Sequence, residues 1–166
     1  MKTFAAVVLG SAMFLAVPVM AQEMGSVAGG SGDSNMEILM QKVKADKKLL
    51  IATNMGLSEA EGKKFWPLYD AYQKELGALN QRLGKTIQEY ADAYNAGKGT
   101  ISEDTAKKLL SEALSVEEAE VKLKRTYADK IGKVVPATKT ARYIQMENKI
   151  RAIVKMELAQ QIPLVY

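Results

Sequence analysis

Residues 57–99 read LSEAEGKKFWPLYDAYQKELGALNQRLGKTIQEYADAYNAGKG, and their apolar positions recur with a helical beat rather than a strand's alternation. Ser58 and Glu61 stand at capping-box spacing, which predicts a helix from Glu59. Beyond it Phe65, Tyr69, Tyr72, Leu76, Leu79, Leu83, Ile87, Tyr90 and Tyr94 alternate steps of four and three, with one slip at Ile87. A stripe of that length faces one partner helix in the manner of a coiled-coil seam. Pro67 lacks an N–H and its ring crowds the carbonyl of Lys63, so a kink or break is expected there. The uninterrupted part, Pro67 to Tyr94, would measure about 42 Å at 1.5 Å per residue, more than the diameter of a compact domain this small. An elongated fold follows.

Asn95-Ala96-Gly97-Lys98-Gly99 is a turn by composition. Ser102 then caps a second long helix, with Glu103 and Asp104 in its first turn, where the helix dipole favours negative charge. Its stripe is Ala106, Leu109, Ala113, Val116, Leu123, Tyr127, Ile131 and Val134, and Glu120 takes one step of the rhythm. So short a turn predicts an antiparallel hairpin. Val135-Pro136 interrupts the chain, and Pro136 suits the first position of a last helix. That helix runs to about Gln161, because Pro163 biases Ile162 away from the helical region. Before the hairpin, Met36, Leu39, Met40, Val43, Lys47, Leu50 and Ile51 mark another helix behind an N-cap at Asn35. Gly56 can take the left-handed conformation that closes it. This first helix can pack on its own hairpin or on another subunit. The fold class is therefore all-α: an elongated antiparallel helical hairpin with additional N- and C-terminal helices.

Its long stripes leave more apolar face than one thin hairpin covers, so a homodimer is expected.

The N-terminus carries a different signal. Met1 and Lys2 precede an apolar run from Phe4 to Val17, and Val19-Met20-Ala21 offers small residues for cleavage. Residues 1–21 thus read as a secretory signal peptide, 22–34 as a Gly/Ser-rich disordered leader, and 35–166 as one helical domain. The expected location is outside the cytoplasm, most simply a bacterial periplasm. Removing Lys2 takes the formal charge from +4 to +3. So mild an excess, in a secreted chain, argues against nucleic acid as a partner.

The chain has no Cys and no His. That removes disulfides, thiol chemistry, the usual general base and the commonest transition-metal ligand. Ser58 and Ser102 have no His to activate them and are explained as caps. Carboxylates are plentiful, but amphipathic helices of this kind offer no deep pocket for a sugar, so no catalysis is expected. The cluster Glu117, Glu118 and Glu120 has Lys122, Lys124 and Arg125 competing for it, which fits a salt-bridged helix face. No metal and no other cofactor is expected. Tyr69, Tyr72, Tyr90 and Tyr94 read as core, with phenol oxygens reaching the edge of the seam.

The C-terminal helix, ARYIQMENKIRAIVKMELAQQIPLVY from Ala141, stands apart. Tyr143, Ile150 and Val154 cluster on one stripe, widened by Met146, Ile153 and Leu158. Arg142 and Lys149 line one border, and Arg151 and Lys155 the other. All four are expected to face solvent and to contribute to partner binding. Glu147 lies inside the stripe, four residues before Arg151, so it forms either that ion pair or a polar contact across the hairpin. Basic borders on an apolar stripe suit an acidic or unfolded protein partner, or anionic lipid.

Leu57-Ser58-Glu59-Ala60-Glu61 and, more loosely, Ile101-Ser102-Glu103-Asp104-Thr105 resemble the paired LTxxQ motifs at helix starts of the Spy/CpxP-like periplasmic proteins. Ser replaces Thr and Glu replaces Gln in the first copy, and Thr105 replaces Gln in the second. The resemblance implies an ATP-independent chaperone, or an envelope-stress adaptor, that binds unfolded or envelope proteins on the basic concave face of a thin antiparallel homodimer. The chain departs from that family in its slight positive excess and in lacking the His that metal-linked relatives use. Two readings compete with a chaperone: a structural helical module that assembles with itself or a fixed partner, and a membrane-surface binder acting through the last helix.

Overall fold

The computed structural model of the protein describes residues 45–165. The proposed signal peptide, the leader and the first part of the Met36–Ile51 helix lie outside the described residues. Among the described residues there are four helices: α1 (its described part, 45–55), α2 (Glu59–Ala96), α3 (Glu103–Gly132) and α4 (Ala137–Gln161). There is no strand among the described residues.

The starts and stops are local chemistry. At the head of α2 the Ser58 hydroxyl accepts from the Glu61 amide, and the Glu61 carboxylate accepts from the Ser58 amide at 2.7 Å. Ser58 thereby satisfies a helix-end donor that would otherwise be orphaned. Ser102 caps α3 in the same extended conformation, accepting from the Thr105 amide. Gly56, between α1 and α2, has φ +55, the left-handed conformation that costs glycine least.

Of the kink or break expected at Pro67, the break is excluded. α2 runs unbroken through Pro67 from Glu59 to Ala96, so the break foreseen at Pro67 does not occur. Proline removes a single intrahelical hydrogen bond on the exposed side, while Phe65 and Tyr69 on either side are buried and hold the helix in register. Pro136 also sits one residue earlier than expected. It is the N-cap of α4 rather than the first helical residue, and it makes no side-chain cap bond.

Contacts between helices fix their relative senses. Along α2 and α3 the touching pairs are Tyr72 with Tyr127, Arg82 with Glu112, and Glu89 with Lys108, so one number rises as the other falls. α3 and α4 are likewise antiparallel, through Glu120 with Arg151 and Glu117 with Lys155. α1 opposes both α2 (Lys47 with Gln73, Lys48 with Asp70) and α4 (Lys47 with Glu147, Asn54 with Arg142).

The core lies where all four helices meet. Ile51 and Met55 of α1, Phe65, Tyr69, Tyr72 and Leu76 of α2, Leu123, Tyr127 and Ile131 of α3, and Tyr143 of α4 form one cluster. Each fully buried apolar side chain of this size contributes about 1.5–3 kcal/mol by leaving water. The rings meet edge to face, Phe65 with Tyr143 at 5.2 Å and Tyr72 with Tyr127 at 5.4 Å between centroids. Trp66 stands edge-on to Tyr69 with the Lys48 ammonium 5.3 Å from its ring centre. Toward the 97–102 turn burial loosens: Leu79, Leu83, Ile87 and Tyr94 are only half-buried.

Candidate functional site

α4 carries the residues singled out by sequence, and the fold sorts them into two groups. Its inward face repeats as Tyr143, Glu147, Ile150 and Val154, all buried. Glu147, 3 % exposed, takes the second of its two expected roles. It does not pair with Arg151. The Lys47 ammonium of α1 donates to it at 2.9 Å and the Gln73 amide of α2 at 2.8 Å. Lys47 also donates to the Gln73 side-chain carbonyl at 2.8 Å, which closes a small polar ring among three helices. Burial pushes the Tyr143 hydroxyl far above the ordinary phenol range, and the Glu147 carboxylate nearby adds to the effect.

Arg151 corrects the sequence expectation. Instead of facing solvent it is turned inward, its side chain 11 % exposed, with a guanidinium nitrogen bound to the Glu120 carboxylate of α3 and another donating to Asn80 of α2 at 2.8 Å. Lys124 adds a longer contact to Glu120. Arg151 Nε is buried without a hydrogen-bond partner. A residue four positions after an inward Glu lies about 40° away from it around the helix, still on the flank that meets a neighbour. The charged residues inside the apolar rhythms of three different helices, Lys47, Glu120 and Glu147, are the signal that could have found these partners.

Lys155 stays exposed but is held by Glu117 at 2.8 Å, and this ammonium keeps the Glu117 carboxyl below its ordinary value. Arg142 and Lys149 lie on the other flank, toward α1. Arg142 donates only to the backbone carbonyl of Asn54, at 3.4 Å. Lys149 has no hydrogen bond or ion pair among the described residues. With Asn54, Gln145 and Met146 they line a shallow depression of about 370 Å³. Ile153 and Met156, 41 % and 54 % exposed, continue the same outward stripe along α4. The candidate site is this face: two cations without carboxylate partners among the described residues, interleaved with accessible apolar side chains.

Such a surface has no nucleophile–base pair, and no group of three or more acidic residues converges to hold a metal among the described residues. What it offers is area: methyl and methylene groups for contact, and two long cations for acidic or carbonyl groups. No helix among the described residues is long and apolar enough to cross a membrane. No protein-family model, curated protein or solved structure matches the chain.

Proposed function

We propose that the protein is a secreted, non-catalytic helical binder of unfolded or partner proteins, acting in the periplasm as an ATP-independent chaperone or envelope-stress adaptor. In this reading it is an elongated hairpin with flanking helices, and it works as a homodimer. The observation that carries the reading is the division of the α4 cations. Arg151 and Lys155 are engaged by Glu120 and Glu117, whereas Arg142 and Lys149 remain available beside Met146, Ile153 and Met156. Mixed apolar and basic faces hold extended chains of varied sequence because neither component demands a fixed geometry.

The test is suppression of aggregation of an unrelated unfolded protein, at stoichiometric amounts and without ATP. The wild type delays aggregation. The double variant Arg142→Gln/Lys149→Gln loses most of that effect while its helicity and melting are unchanged, because exposed charges contribute little to stability. The variant Arg151→Gln separates the two groups, since it costs about 3 kcal/mol of stability by leaving the buried Glu120 with only its longer contact to Lys124. Undiminished suppression by Arg142→Gln/Lys149→Gln would remove this face from the reading. Absence of suppression by the wild type would leave a structural module.

A further inference from the structure

α3 uses its charges unequally. Those on the flanks that meet α2 and α4 are engaged: Lys108 with Glu89, Glu112 with Arg82, Glu117 with Lys155 and Glu120 with Arg151. The outer flank carries instead three large apolar side chains in the open, Leu110, Leu114 and Val121, at 61 %, 51 % and 55 % exposure. At 100° per residue they fall within about 40° of one another, which makes them a stripe rather than scattered surface residues. Glu103, Lys107, Glu118 and Lys122 accompany this stripe, and their side chains have no hydrogen bond or ion pair among the described residues.

On reversal the order of these residues becomes its own complement in charge. Along α3 it runs acid, base, Leu, Leu, acid, base at 103, 107, 110, 114, 118 and 122. A second α3 laid antiparallel with Leu110 against Leu114 brings Lys107 within one residue of the level of Glu118, and Glu103 within one residue of the level of Lys122. A two-fold axis makes each of these contacts twice. Lys107, Glu118 and Lys122 lie on the same side of the stripe, the side on which residues of two-fold-related antiparallel helices face each other. A parallel pairing would instead put these side chains on opposite edges of the contact, away from their complements, so the charges favour the antiparallel orientation. A shallow depression of about 600 Å³ surrounds Val121 between Glu118 and Arg125, where the first α3 turn of the second copy would fall.

We infer that the outer flank of α3 binds a second copy of this chain through an antiparallel two-fold contact centred on Leu110 and Leu114. It rests on the proposed homodimer for the number of copies, and gives that dimer a face and a register. It leaves the Arg142–Lys149 flank of α4, which points toward α1, open on both copies.

Sedimentation velocity of the mature chain at tens of micromolar tests it. The wild type sediments as a dimer, and Leu114→Glu sediments as a monomer with unchanged helicity. Lys107→Glu and Glu118→Lys each weaken the dimer at least tenfold, and the combined Lys107→Glu/Glu118→Lys variant restores it to within a few-fold of wild type. A monomeric wild type would overturn the homodimer and this face together. A wild-type dimer that survives Leu114→Glu would overturn the face alone, and a charge swap no better than its single variants would overturn the register.

Discussion

Glu147→Leu removes the carboxylate to which the buried Lys47 ammonium donates. Lys47 is 8 % exposed and Glu147 3 %, so the pair lies in a region where neither water nor counter-ions reach it easily. After the substitution Lys47 keeps its contact to the Gln73 side-chain carbonyl but loses the carboxylate at 2.9 Å. Breaking a buried ion pair by removing one partner costs about 3–5 kcal/mol. Lys47→Met leaves Glu147 with the Gln73 amide and the Tyr143 hydroxyl but no Lys47 ammonium, and costs a similar amount. The double variant Lys47→Met/Glu147→Leu removes both charges and substitutes side chains of comparable bulk. Gln73, half-buried, can still turn toward the Tyr143 hydroxyl, 3.4 Å away. We therefore expect the double variant to lose at most about 1 kcal/mol, so that the two positions couple by several kcal/mol. Urea unfolding followed by far-UV circular dichroism measures all four corners of the cycle. If either single variant costs less than about 1 kcal/mol, or if the double variant costs the sum of the singles, the pair is not the buried unit described above.

Two further perturbations address other parts of the fold. Tyr127 donates to Glu75 at 2.6 Å, and this hydrogen bond, with burial second, pushes its hydroxyl from 10.0 up to about 12. A folded value raised above the unfolded one contributes stability that is complete below pH 10.0 and is lost as pH climbs through about 12. Burial raises Tyr143, Tyr72 and Tyr69 in the same direction, so tyrosinate absorbance and loss of helicity should rise together above that range. A melting temperature that stays constant from about pH 9 to about pH 12 would contradict the assignment. In the α2–α3 turn, a Cβ on Gly97 would run into the Thr100 carbonyl oxygen, whereas one on Gly77 would meet nothing within 4 Å. Gly97→Ala should therefore cost about 1–3 kcal/mol, and Gly77→Ala should gain about 0.5–1 kcal/mol from helix propensity, both read from thermal or urea unfolding.

The all-α character and most helix boundaries are legible because they are short-range. Ser58 with Glu61, Ser102 with Thr105 and the left-handed Gly56 act within four residues, and sequence spacing reports such contacts directly. The buried stripe of α4 is legible for the same reason at Tyr143, Ile150 and Val154. Pro67 does not break α2 because propensity is a weak term beside the packing of Phe65 and Tyr69, which the local sequence does not display. Arg151 misleads more instructively. An i,i+4 rule assigns it to Glu147, yet Glu147 finds Lys47, 100 positions away, and Arg151 finds Glu120, 31 positions away. Which of several charges a buried carboxylate meets depends on the register between helices, and one helix read alone does not contain it. The division of the four α4 cations into engaged and available pairs follows from that register, so half of the candidate site is visible only in three dimensions.

The one tryptophan of the chain, Trp66, sits at the margin of the aromatic cluster with Tyr69 edge-on at 5.4 Å. Tyr143 of α4 and Tyr127 of α3 join the same chain of rings through Tyr69 and Tyr72. Light absorbed by these tyrosines is therefore emitted by a single indole, since excitation passes readily between rings at such separations. Were α3 or α4 to swing away while every helix stayed wound, donor and acceptor would part and tyrosine emission would reappear. The protein thus carries an optical gauge of tertiary assembly that is independent of its helical content, and needs no added label to be read.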